Sequence, residues 1–101
     1  LGVALVQLRA SQATLVIERE AQHQDELAYE LLTAARDLAE AGRPERALEM
    51  LDHAVARLDP DGKAAGPRPR LADIYALRGK LRAEAKRPGG DADVARAAAL
   101  R

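Results

Sequence analysis

Apolar residues recur along most of this chain at the three-and-four spacing of a helix, not at the alternation of a strand. Leu27, Leu31, Ala34, Ala35, Leu38 and Ala41 fall on one stripe. Ala47, Leu48, Leu51, Ala54, Val55 and Leu58 form a second, and Leu71, Ile74, Tyr75, Leu77 and Leu81 a third. Gly and Pro separate the stripes at Gly42-Arg43-Pro44, across residues 60–70, and at Pro88-Gly89-Gly90. Cap chemistry agrees with these breaks. Asp25 is placed to cap a helix starting near Glu26. Gly42 suits the left-handed residue that ends that helix. Pro44 and Glu45 suit the first turn of the next, and Asp91 is placed to cap the last helix after Gly90.

The N-terminal stretch is helical by Leu1, Leu5, Leu8, Leu15 and Val16, but residues 18–26 hold no large apolar side chain and no Gly or Pro. Either one helix runs through to Ala41, or a polar turn near His23–Asp25 separates two. The expectation is two helices, because a thin core needs the face of Leu1–Ile17 folded back onto it. The expected organisation is an N-terminal helix over 1–24, a helical hairpin over 25–60, a linker over 61–70 and a second, truncated hairpin over 71–101.

Composition sharpens this. Of 101 residues, 23 are Ala and 15 Leu, while Phe, Trp and Cys are absent. Ala and Leu are the strongest helix formers, and so few β-branched and aromatic residues exclude a sandwich or barrel. The fold class is all-α, with four to five helices in antiparallel hairpins. Without Cys there is no disulfide framework, thiolate metal site or Cys nucleophile. Gln7, Arg9, Ser11, Gln12 and Thr14 interrupt Leu1–Ile17, which is too short and too polar to span a bilayer. No signal-peptide pattern shows, so no membrane association and a cytoplasmic location are expected. The chain opens on Leu and is expected to be part of a longer protein.

Net charge is zero but polarised. Residues 25–60 carry 4 basic and 9 acidic side chains, and residues 61–101 carry 10 basic and 5 acidic. A net −5 therefore faces a net +5. The basic part could steer an acidic partner, or the two parts could simply attract each other or be solvated.

Two weakly similar units repeat. One runs Leu31-x-x-Ala34-Ala35-x-x-Leu38, Gly42, then Ala47-x-x-x-Leu51-x-x-Ala54 and Pro60. The other runs Tyr75-x-x-Arg78-Gly79-x-x-Arg82, Gly90, then Ala95-x-x-x-Ala99. In both, Gly lies five residues before the first Ala of the second helix. This pattern resembles the tetratricopeptide repeat, W-x2-L-G-x2-Y followed by A-x3-F and a closing Pro over about 34 residues. Leu38–Leu51 carries the most specific part, and the resemblance covers residues 26–101. Small residues at Ala34, Ala35, Ala47, Ala54 and Gly79 would let helices approach closely while Leu31, Leu38 and Leu51 fill the gaps. The chain departs from the family in using Leu for its aromatic residues, in the longer linker after Pro60, and in Arg82, where an apolar residue is expected.

The resemblance implies a protein–protein interaction module. The first helix of each unit would line a groove that takes a peptide or partner helix. The groove-facing positions carry over to Tyr29, Leu32, Thr33, Arg36 and Glu40 in the first unit, and to Asp73, Ala76, Leu77, Lys80 and Glu84 in the second. Arg36 and Lys80 are equivalent and suited to a carboxylate. The family's fuller clamp for a terminal carboxylate uses Asn, which this chain lacks. The alternative is self-association as part of a larger regulatory protein. In that case Leu1, Leu5, Leu8, Leu15, Val16 and Ile17 form a dimer face instead of an internal cap.

Reactive chemistry is sparse. His23 and His53 have no partner at metal-ligand spacing. Asp59-Pro60-Asp61-Gly62 opens like a calcium loop but lacks the later ligands and reads as a turn. Asp52 and His53 are adjacent and point apart on a helix, and Ser11 is the only Ser. Neither an enzyme, a cofactor nor a metal is expected. Lys63, Arg68, Arg70, Lys80, Arg82, Lys86 and Arg87 could meet phosphates. Acidic residues interrupt them and only Tyr75 could stack a base, so nucleic acid is disfavoured as a partner.

Overall fold

A computed structural model describes the backbone of residues 2–101 and the side chains of residues 21–101. The expected cap or dimer face of Leu1, Leu5, Leu8, Leu15, Val16 and Ile17 lies outside the described residues. The structure is all-helical: α1 (Gly2–Glu40), α2 (Pro44–Leu58), α3 (Pro69–Glu84) and α4 (Gly90–Ala99). Among the described residues there is no strand, and no helix is long and apolar enough to cross a membrane.

The expected turn near His23–Asp25 is corrected: α1 is one unbroken helix of 39 residues. The physical reason is local. Residues 18–26 are Glu, Arg, Ala, Gln, His and Asp, with neither Gly nor Pro to stop propagation. Residues 21–26 are all exposed, so their polar side chains stay hydrated. Asp25 is thereby interior to a helix and caps nothing. Its carboxylate instead meets Arg70 Nη1 at 2.9 Å.

The α1–α2 turn forms as its chemistry predicts. Gly42 adopts φ +76°. The Arg43 amide donates to the Leu38 carbonyl at 2.9 Å and the Gly42 amide to the Ala39 carbonyl at 3.1 Å. These two bonds make a Schellman motif, satisfying carbonyls the helix end would otherwise orphan. Pro44 then starts α2 with Glu45 in its first turn. The α3–α4 turn repeats the motif with different residues. The amide of Lys86 donates to the Ala83 carbonyl and that of Arg87 to the Arg82 carbonyl. Here the left-handed position is Lys86, at φ +57°. Gly89, at φ +95°, is the N-cap of α4. Asp91 is not the cap; with Asp93 it sits in the first turn, where carboxylates favour the positive end of the helix dipole.

The four helices pack as two hairpins side by side. Helix α1 packs on α2, α3 lies against both, and α4 packs on α3 and no other helix among the described residues. The second stripe is buried as its spacing implies, at Ala47, Leu48, Leu51, Ala54 and Leu58. The first is rotated. Ala28, Leu32 and Ala35 are buried, while Leu27, Leu31 and Leu38 are half-buried and Ala41 is exposed. The stripe turns because α1 has two neighbours, α2 and α3, and buries the edge facing both. At Gly79 α3 and α4 approach closely: a Cβ there would meet the Gly90 carbonyl oxygen at 2.9 Å.

Candidate functional site

Helices α1 and α3 run parallel, as contacts at both ends show. At the N-terminal end, Arg70 pairs with Asp25 and lays its guanidinium 4.7 Å from the centroid of the Tyr29 ring. At the other end, Arg36, Ala39 and Glu40 of α1 share a cleft of about 500 Å³ with Leu77, Lys80, Leu81 and Glu84 of α3, closed by Gly42 and Pro44 of the first turn. Arg36 and Lys80 lie 44 residues apart, as do Ala35 and Gly79 in the two sequence units.

The structure thus brings together five expected groove residues in one cleft: Arg36, Glu40, Leu77, Lys80 and Glu84. Tyr29 is exposed on the same helix under Arg70, while Thr33 and Ala76 are half-buried between the ends. Two positions behave differently. Leu32 is corrected: at 2% exposure it belongs to the core. It sits one turn after Ala28 and is followed by Ala35 on the edge that α1 turns toward its neighbours. A large apolar side chain gains most by burial there. Asp73 is half-buried and paired with Arg101 at 3.0 Å, so it joins α3 to the end of α4. Sequence reasoning missed Arg70. The signal available was an acidic pair, Asp25 and Glu26, lying 44–45 residues before it.

Two buried carboxylates organise the second hairpin. Asp59, at the end of α2, accepts from the Tyr75 hydroxyl at 2.6 Å, from Arg96 Nη2 at 3.0 Å and from the Ala64 amide at 2.9 Å. Burial alone would raise its carboxyl pKa. The hydrogen bonds from Tyr75, Ala64 and Arg96, with the Arg96 charge, outweigh it and hold Asp59 below the ordinary carboxylate value. Tyr75 is pushed up, by burial first and then by its bond to Asp59. Arg96 also donates to the Ala64 carbonyl at 2.7 Å, so this hub ties the linker to α3 and α4. The Asp59–Gly62 segment is a turn, in which the Gly62 amide donates to the Asp59 carbonyl at 3.1 Å.

The second carboxylate, Asp93, lies opposite Arg78 and Arg82. Arg78 grips it through Nε at 3.0 Å and Nη2 at 2.8 Å, and Arg82 Nη1 adds a contact at 3.0 Å. Exposed Asp52 of α2 meets both arginines from the other side. Burial by itself would lower the Arg78 pKa, but Asp93 raises it above the usual value. Arg82, the apparent misfit of the repeat, is therefore a structural cation. This changes the basic surface as well, because Arg70, Arg82 and Arg87 are all ion-paired.

Both histidines are exposed. His53 flanks a second groove with Leu27, Leu31, Ala56 and Arg57. Among the described residues no group of three or more His, Asp or Glu side chains is placed to hold a metal ion. No protein-family model matches the chain, and no curated protein or solved structure matches it.

Proposed function

We propose that this chain is a protein–protein interaction module of the tetratricopeptide type, binding a peptide or partner helix in the groove between α1 and α3. The observation that carries the reading is the cleft built from equivalent residues of the two hairpins, Arg36 with Lys80 and Glu40 with Glu84. Its floor is apolar (Ala39, Leu77 and Leu81) and its rim holds cations and carboxylates of both hairpins. That combination suits a short amphipathic segment: apolar contact supplies affinity and the charged rim fixes orientation. An acidic side chain of the ligand would lie between Arg36 and Lys80 as a charge-assisted pair.

The test is affinity capture of a partner by the wild-type chain and by the Arg36→Ala/Lys80→Ala double variant. Both side chains are exposed, so circular dichroism should show the fold intact. The variant is expected to lose the partner by about tenfold or more, the size of effect typical of charged interface residues. Full retention of the partner by a folded double variant overturns the groove.

A further inference from the structure

The charges on the rim of the α1–α3 cleft are used differently from those elsewhere in the hairpins. Arg70, Arg78, Arg82, Arg87, Arg96 and Arg101 are all ion-paired within the chain. Arg36, Glu40, Lys80 and Glu84, the charged residues lining the cleft, are exposed. Among the described residues none of these four takes part in an ion pair. Their order along each helix does not favour pairing either. Arg36 stands four residues before Glu40, and Lys80 four before Glu84. A cation N-terminal to its carboxylate is the weaker arrangement on a helix.

Register then sets like beside like. Helices α1 and α3 are parallel, and Arg36 with Lys80 and Glu40 with Glu84 share the 44-residue offset. The contacts of Arg70 with Asp25 and Tyr29 bracket the same offset at the other end. Arg36 and Lys80 therefore occupy one level of the cleft, and Glu40 and Glu84 a level one turn on, about 6 Å away. That second level is the C-terminal end of both helices, where the negative ends of two dipoles add to the two carboxylates.

We infer that the cleft has two subsites and selects an extended zwitterionic segment, Glu-x-Lys or Glu-x-Arg. The acid lies between Arg36 and Lys80, and the base between Glu40 and Glu84. This rests on the groove reading above and adds a second subsite to it. Spacing selects the pattern. In an extended chain, residues two apart point to one side at about 6.7 Å, close to the separation of the levels. Adjacent residues point to opposite sides, so Glu-Lys reaches only one level. Long side chains suit the floor, because their aliphatic stems cover Ala39, Leu77 and Leu81 while the charged ends reach the rim. A cleft of about 500 Å³ holds a short segment, whereas a helix about 10–12 Å across stands largely outside it.

The experiment titrates three peptides, blocked at both ends, into the isotope-labelled full chain at about 50 mM salt, where exposed charges are weakly screened. Their sequences are Leu-Glu-Ala-Lys-Leu, its isomer Leu-Glu-Lys-Ala-Leu, and the diacid Leu-Glu-Ala-Glu-Leu. Amide shifts of residues 36–43 and 77–84 report binding. The first peptide should bind about fivefold more tightly than the isomer, which forfeits one level. It should bind about tenfold more tightly than the diacid, which sets a carboxylate against Glu40 and Glu84. Glu40→Gln/Glu84→Gln should erase the preference over the diacid. It should melt no lower than wild type, because it removes carboxylates from the negative ends of two helices. Equal affinity of the wild type for the first peptide and the diacid overturns the second subsite, as does an absence of shifts with all three. A melting temperature lowered by several degrees in the Gln variant assigns the carboxylates a structural role and overturns it too. The groove itself falls on a separate result, retention of its partner by the folded Arg36→Ala/Lys80→Ala variant.

Discussion

The two hairpins solve the same packing problem with opposite chemistry. Between α1 and α2 the seam is apolar, with Leu31, Leu38 and Ala47 in or against the core and half-buried Ala34 between them in sequence. The positions in register between α3 and α4 are Tyr75, Arg78, Arg82 and Asp93, of which the last three form a hydrogen-bonded charge cluster. An apolar seam is tolerant: it needs only volume. A charged seam is demanding, because removing one partner leaves the others buried without compensation. The second hairpin gains a fixed geometry, since the Arg78 fork donates to Asp93 in one orientation. It also gains a link to the first hairpin through Asp52, which both arginines reach.

The largest effect expected from breaking this contrast is at Asp93. Its side chain is 4% exposed and Arg78 is 13% exposed, so Asp93→Ala should cost about 3 kcal/mol, as for other broken buried pairs. Urea unfolding followed by circular dichroism measures it. The triple change Arg78→Ala, Arg82→Leu, Asp93→Ala writes the seam of the first hairpin into the second and should recover most of that loss. If the triple variant is no more stable than Asp93→Ala alone, the two seams are not interchangeable.

The next effect is at Asp59 and shows as pH dependence. Its folded pKa lies below the unfolded value of about 3.9. Its contribution is therefore fully present above that value and is lost as pH falls through the folded pKa. Tyr75 titrates in the other sense. Its folded pKa lies above the unfolded value of about 10, so its contribution is lost as pH rises through the alkaline range. Asp59→Asn should cost about 2 kcal/mol at neutral pH, the scale of hydrogen bonds to a charged group. The gap between variant and wild type should close on acidification. Urea midpoints measured from neutral to strongly acidic pH decide this, and a constant gap refutes it.

The smallest effect lies in the turns. Gly42 holds the left-handed position in the first hairpin and Lys86 holds it in the second. A side chain there is strained where glycine is not, so Lys86→Gly should stabilise the domain by about 0.5–1 kcal/mol. Gly42→Lys should cost a similar amount. Thermal unfolding of the pair is the check, and equal melting temperatures for wild type and Lys86→Gly would remove the distinction between the turns.

Much of the fold was legible in the residues. The breaks at Gly42-Arg43-Pro44, at residues 60–70 and near Gly89 all sit where helices end or begin. The α2 stripe is buried at every position but Val55, which is half-buried. Five of the ten groove residues share a cleft. Apart from the turn expected near His23–Asp25, which local propensity overrules, the misreadings needed knowledge of a neighbour. Leu32 was placed in the groove by the resemblance, and it is buried because α1 packs against both α2 and α3. Asp25 looked like a cap because a helix was expected to start after it, and its partner, Arg70, lies 45 residues along the chain. Arg82 looked like a flaw because Asp93 and Asp52 are 11 and 30 residues away.

Local chemistry therefore settled the all-helical class and most of the helix ends. Helix propensity, Gly and Pro conformations and capping act within a few residues. Tertiary structure alone decided which edge of α1 is buried and that Arg78 and Arg82 pair with Asp93 and Asp52. Burial and charge pairing are properties of two surfaces in contact. A single chain pattern names one surface and leaves the other to the packing of the helices.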